Sequence, residues 1–120
     1  MHFFGGKAQT GFRIDTNAEL LPDLCANVEW VSELEDDSFG GGMADPPYTE
    51  EFARTLYGCD YPQWSKWTKE LVRVVSPGGL IGIMQNYPVP QLAGCVWEKI
   101  VIILLRIKQY PKIVTIQRKI

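Results

Sequence analysis

The chain has 120 residues, 46% hydrophobic and 22% charged, which sets the expectation of a single globular domain over residues 1–120 and excludes a disordered or low-complexity chain. Its three cysteines, Cys25, Cys59 and Cys95, are far apart with no C-x-x-C, and His2 is the one histidine; no metal site and no disulfide scaffold is expected, and three reduced thiols in a cytoplasmic protein is the plain reading. The net charge of −2 hides an asymmetry, with 12 acids and 3 bases in residues 1–60 against 2 acids and 9 bases in residues 61–120, which fits either a nucleic-acid-facing basic half or neutralisation between the halves, within the fold or across a dimer.

The elements follow in chain order. No leader-like apolar stretch opens the sequence. His2-Phe3-Phe4 reads as a strand end running into Gly5-Gly6, with His2 at a frayed start. Phe12-Arg13-Ile14-Asp15 alternates and ends on an acid, and Leu24 to Ala26 reads as a short buried strand. Residues 29–38 are acidic and expected to be solvated. Gly40-Gly41-Gly42 is poor strand sequence by propensity but permits close packing by a neighbour. Thr49 is a good helix cap, followed by Glu50 and Glu51 on the positive end of the dipole, and Gly58 ends that helix. A second helix is expected with Asp60 as cap and Pro62 in its first turn. Trp64, Trp67, Leu71 and Val74 form its apolar stripe, while Lys66, Lys69, Glu70 and Arg73 fall off it. Ser76-Pro77-Gly78-Gly79 is the expected stop before a buried strand, Leu80 to Met84. Asn86-Tyr87-Pro88 follows and fits either a substrate mouth or a plain turn. Trp97 to Ile107 and Ile113 to Ile116 are β-rich runs joined by turn-like Gln109 to Lys112, an expected antiparallel hairpin. The apolar run from Ile100 to Leu105 is too short to cross a bilayer, so no membrane is expected.

Chemistry concentrates in Asp45-Pro46-Pro47-Tyr48, expected at the carboxyl end of a strand, where open α/β sheets bind ligands. Two prolines fix the backbone and remove two N–H donors. A carbonyl beside them is left available as an acceptor, and Asp45 adds a second. Two acceptors and an aromatic plate suit a planar group bearing an exocyclic amine.

This string, with its surroundings, resembles the signature loop of S-adenosylmethionine-dependent methyltransferases that modify the exocyclic amino group of adenine, and less often of cytosine or guanine, in nucleic acids. Glu70-Leu71-Val72-Arg73-Val74 followed by Pro77-Gly78-Gly79 is similar to the family's "E-x-x-R-V-x-x-P-G-G" helix end. Asp37-Ser38-Phe39 resembles the family's approach to the DPPY strand, with Gly40 in place of a second acid. The resemblance runs from about Asp15 to Met84, and the tail is similar to the hairpin that closes the family's sheet. It implies a compact, Rossmann-like class I methyltransferase fold: α/β, mostly parallel, with a C-terminal antiparallel hairpin. It also implies S-adenosylmethionine as cofactor. Phe4, Gly5 and Gly6 look like a remnant of the glycine loop under the cofactor's methionine part. Asp15 looks like the ribose-binding acid. Asn27 stands where an acid usually meets the adenine amine, with Glu29 as its rival. Asp45 borders the cofactor and, with Pro46, Pro47 and Tyr48, would hold and activate the target amine.

There is no room for a helix between Gly6 and Phe12, nor for a full one between Asp15 and Leu24, so the domain is expected to be shortened in its cofactor region. The expected activity is methyl transfer to an amine, first of all adenine in DNA. The alternatives are an RNA amino-methyltransferase and a non-catalytic remnant acting as a binding or partner module. Specificity would need loops, the basic half, a homodimer or a partner protein.

Overall fold

The structure is a computed structural model that describes residues 1–58, 60–104 and 111–120. Cys59, the end of the first β-rich run beyond Leu104, and the turn residues Gln109 and Tyr110 lie outside the described residues.

Seven strands form one sheet among the described residues: β1 (His2–Phe3), β2 (Arg13–Asp15), β3 (Leu24–Cys25), β4 (Phe39–Ala44), β5 (Val75–Gln85), β6 (Cys95–Ile103) and β7 (Lys112–Lys119). Their order is β3-β2-β1-β4-β5-β7-β6. β1 to β5 run parallel, and β7 is antiparallel to both β5 and β6. The expected hairpin therefore forms, with β7 inside the sheet and β6 at its edge. After β1 the chain steps outward through β2 and β3, then returns to lay β4 against the other side of β1. That reversal sends the connections from β1 and β4 in opposite directions and leaves a crevice at their carboxyl ends.

Two helices, α1 (Glu50–Tyr57) and α2 (Trp64–Val74), fill the β4–β5 crossover. Thr49 caps α1 by accepting from the Phe52 N–H at 3.1 Å, and Gly58 closes it at φ 60°. The stripe on α2 buries Trp67, Leu71 and Val74 against Phe3, Ile14, Ala44, Ile81 and Ile83. Gly42 makes this docking possible: a Cβ there would lie 2.8 Å from Leu71 Cδ1. The glycine-rich segment is thus a strand despite its propensity, because α2 packs directly on its backbone.

Several boundaries differ from the sequence reading. Asp60 does not cap α2. The helix starts at Trp64 behind Gln63, whose side chain makes no capping bond. Glu29, from a distant loop, accepts the Gln63 N–H instead. Nor does Ser76-Pro77-Gly78-Gly79 separate helix from strand, because α2 passes straight into β5 at Val75, with a register irregularity opposite Phe39 and Gly41. His2 is paired on both sides, with Arg13 and Met43, rather than frayed. Lys112 opens β7 instead of belonging to a turn.

The connector between β3 and β4 is held by the charges that fell off the α2 stripe. Arg73 donates to the Leu34 carbonyl (2.8 Å) and the Val31 carbonyl (3.0 Å), and pairs with Asp36 (2.7 Å) and Glu70 (2.9 Å). Glu70 in turn accepts the Val31 N–H at 3.1 Å. Residues 29–38 are therefore fastened rather than merely solvated. Lys66 with Glu29, Arg73 with Asp36, and Lys119 with Asp37 are pairs between the basic and acidic halves. Part of the charge asymmetry is therefore neutralised inside the fold.

Candidate functional site

A cleft of about 760 Å³ opens at the carboxyl ends of β1 and β4. That volume suits a nucleoside-sized ligand. Phe4, Gly5 and Gly6 line it, as do Asp15, Asn27, Asp45 and Pro47. Residues separated by up to 43 positions in the sequence thus share one wall system. Pro46 and Tyr48 are not on its lining. Pro46 is buried behind it, and Tyr48 lies at its side.

The turn after β1 is tightly determined. Phe4 takes φ 56°, a left-handed conformation that costs a non-glycine residue energy. Its ring meets Trp67 edge-on at 5.4 Å, which fixes it from the core side. Gly5 is required by close approach, since a Cβ would fall 2.8 Å from Arg13 Cβ. The Gly5 N–H goes to the Ile14 carbonyl, and the Gly6 N–H goes to Asp15 Oδ2 at 2.9 Å. Both glycine donors are consumed inside the protein. This turn can admit a ligand's close approach but does not offer it those N–H groups.

Asp15 ends β2 facing the same turn. Its second oxygen accepts the Asn17 N–H at 2.9 Å, so the carboxylate is held by two backbone donors. A carboxylate has about four acceptor directions, which leaves capacity for hydroxyl donors. Asn27 Oδ1 accepts the Glu29 N–H at 2.9 Å, orienting its amide at the cleft. Glu29 itself lines the cleft, but its carboxylate is engaged with Gln63 and, at 3.9 Å, Lys66. Arg13 was not singled out from the sequence. It donates to the Gly6 and Leu20 carbonyls, each at 3.2 Å, and to the Leu21 carbonyl. It ties the glycine turn to the 3-10 helix Ala18–Leu20, the single turn that replaces a longer helix between β2 and β3.

At the other end of the cleft, the Tyr48 hydroxyl donates to Asp45 Oδ1 at 3.3 Å. The Lys112 ammonium lies 4.9 Å from the Tyr48 ring centroid, a cation–π distance. Partial desolvation pushes the Asp45 pKa up, opposed by the charge of Lys112 and the hydrogen bond from Tyr48. Desolvation likewise pushes Tyr48 up. Tyr61, on the loop before α2, lines the cleft, and the nearby Tyr87 adds to the upward shift of its pKa, whose first cause is burial. Asn86-Tyr87-Pro88 thus lies near this mouth. No sequence pattern marks Tyr61 or Lys112, since one reaches the site from the loop before α2 and the other from the start of β7. Among the described residues no cluster of His, Cys, Asp and Glu could hold a metal ion.

The fold is similar to that of the 16S rRNA (adenine(1408)-N(1))-methyltransferase of Catenulisporales acidiphilia, solved as a mutant with cosubstrate SAM. The TM-score is 0.62 at 12% identity, over 99% of this chain and 83% of that one. The fold is that of a class I methyltransferase. No family model matches the sequence. The reversal between β1 and β4 is where both halves of the cleft meet: Asp15 and Asn27 on one flank, and Asp45 and Pro47 on the other.

Proposed function

We propose that this chain is an S-adenosylmethionine-dependent methyltransferase acting on the exocyclic amine of adenine in nucleic acid. The observation that carries this is the junction of Asp45 and Pro47 with Phe4 to Gly6, Asp15 and Asn27 in one cleft at the strand-order reversal. The donor and acceptor set fits the cofactor. The Asp15 carboxylate suits two ribose hydroxyls, the Asn27 amide suits an adenine edge, and the glycine turn lets a main chain approach closely. When bound, the cofactor supplies an electrophilic methyl group on a sulfonium.

The chain's own residues act on the acceptor. An exocyclic amine is a weak nucleophile because its lone pair is delocalised into the ring. Asp45 and the Pro46 carbonyl accept its two hydrogens and favour a pyramidal nitrogen, localising that pair. These bonds strengthen as positive charge develops on nitrogen, so they stabilise the transition state more than the ground state. Tyr48 provides the ring surface on which the base is oriented for in-line transfer. A base in a duplex must first leave its stack.

DNA is the first substrate reading. RNA is the second, favoured by the rRNA substrate of the structural neighbour. That neighbour's product is methylated on N(1), a ring nitrogen. Adenine N1 carries no hydrogen to donate, so two acceptors at Asp45 and Pro46 favour the amine over the ring position. Among the described residues no helix is long and apolar enough to cross a membrane. Three thiols fit a reducing cytoplasm. We take residues 1–120 as one catalytic domain, with target recognition drawn from its loops, its basic half, a second copy or a partner protein.

The test is methyl transfer to adenine-containing DNA and RNA oligonucleotides, followed by mass spectrometry of the released nucleosides. Methyl on the amine is expected, and Asp45→Ala is expected to lower turnover by at least about 100-fold while the protein stays folded. An Asp45→Ala variant as active as the wild type removes the mechanism. A folded wild type that binds no S-adenosylmethionine supports the non-catalytic module instead.

A further inference from the structure

The Asp45–Tyr48 end of the cleft poses an electrostatic problem. Asp15, Glu29, Asp45 and Asp60 all line the cleft, against Lys7 on the same lining. A nucleotide approaching Tyr48 brings its own negative phosphate toward a carboxylate that must stay close to the base. Like charges at such range in a partly desolvated site are strongly unfavourable. Among the described residues, Lys112 brings a cation to this point. Lys112 reaches from the start of β7, paired with Ile103 of β6, and its ammonium lies 4.9 Å from the Tyr48 ring centroid. Its charge also acts on Asp45.

A cation over an aromatic ring and a base stacked on that ring use the same π surface. The ammonium sits on a flexible four-carbon stem, which gives it reach to groups beside the ring. Within one nucleotide, the phosphate lies to the side of the base plane, within reach of a lysine rooted beside the stacking platform. The same charge that offsets Asp45 in the structure can therefore offset the phosphate when a base takes the ring.

We propose that Lys112 is a specificity-determining residue that makes the Asp45–Tyr48 site select a phosphate-bearing nucleotide over a free nucleoside. The ammonium rests on Tyr48 beside Asp45, yields the ring face to the base, and pairs with that nucleotide's phosphate. This rests on reading the site as a base-binding one, so its test is kept independent of turnover.

The experiment measures equilibrium binding of adenosine and of adenosine 5′-monophosphate to the wild type, Lys112→Met and Lys112→Arg. Wild type is expected to favour the monophosphate by about tenfold or more, the scale of one charge-assisted contact. In Lys112→Met that preference is expected to fall to near unity, and in Lys112→Arg to persist. With a short oligonucleotide, the slope of log affinity against log salt is expected to shrink by about one in Lys112→Met. A preference unchanged in Lys112→Met overturns the proposal. So does a parallel loss for both ligands, which marks Lys112 as a prop for the loop. Failure of the catalytic reading shows separately, as a wild type that binds nucleotide through Lys112 yet transfers no methyl group.

Discussion

In the proposed mechanism Asp45 is a stronger acceptor for an amine's hydrogens as a carboxylate than as a neutral acid, so its ionisation would set the acid side of activity. Desolvation raises its pKa, and Lys112 and the Tyr48 hydroxyl pull it back. The rate is therefore expected to fall with acidification at a pH above the ordinary aspartate value. Lys112→Met removes the ammonium charge that favours the carboxylate and is expected to move that limb to still higher pH in a kcat/KM profile. A limb that stays in place shows that Asp45 titrates independently of Lys112. The same shift fixes the sign of a stability effect. A carboxyl whose folded pKa lies above its unfolded value disfavours folding when ionised, and that burden is relieved as pH falls through the folded pKa. Asp45→Asn is thus expected not to lower Tm at neutral pH, even as activity is lost. At this scale the sequence was readable where chemistry is contiguous, as in Asp45 to Tyr48. Lys112 was invisible because it is 64 positions from Tyr48 and looked like part of a turn.

The element whose role was least legible is α2. Its apolar stripe of Trp67, Leu71 and Val74 follows from spacing alone, and the structure buries it. Its start did not follow, because the residue before it, Gln63, makes no side-chain cap and has its N–H accepted by Glu29 from another loop. From spacing alone, Glu70 and Arg73 were legible only as charges off the apolar stripe. In the structure they are the clamp that fixes residues 31–36 as the chain returns to β4, and so fix where β4 delivers Asp45. Their side chains are only 15% and 25% exposed, so screening is limited. Arg73→Met leaves the Glu70 carboxylate with the Val31 N–H but without its charged partner, strips the Leu34 and Val31 carbonyls of the guanidinium, and is expected to cost about 2 kcal/mol in denaturant unfolding. The hydrogen bond from Arg73 is the main cause that holds Glu70 below the usual carboxylate range. A depressed folded pKa contributes stability above the unfolded value that is lost as pH falls through the folded one. The difference between wild type and Arg73→Met is therefore expected to narrow in acid below the normal glutamate pKa. A constant difference across that range would assign the loss to packing of the arginine stem instead.

The whole molecule reconciles a sequence that seemed too short with a complete seven-stranded order. Parallel character and a closing hairpin were legible from the runs of apolar and β-branched residues. The strand order was not, since two-residue strands such as His2–Phe3 and Leu24–Cys25 acquire their place only from their neighbours. The missing helices of the first half are replaced by hydrogen bonds: Arg13 to Gly6, Leu20 and Leu21, and Asp15 to Gly6 and Asn17. A cleft wall held this sparingly has few contacts of its own, so a ligand bound there is expected to add a large share of its order. S-adenosylmethionine at 100 times its Kd adds about 2.7 kcal/mol by mass action. For a chain of this length, that corresponds to a rise of roughly 10 °C in Tm. The rise is expected to be largely lost in Asp15→Ala, whose own Tm also drops because the Gly6 and Asn17 N–H groups lose their acceptor. Calorimetric titration of the same pair separates the two effects. If Asp15→Ala binds as tightly as wild type and shifts by the same increment, Asp15 is a structural tie of the glycine turn and the ribose lies elsewhere. If binding weakens about tenfold or more while the unliganded variant stays folded at the assay temperature, the carboxylate that holds the turn is also the one that holds the cofactor.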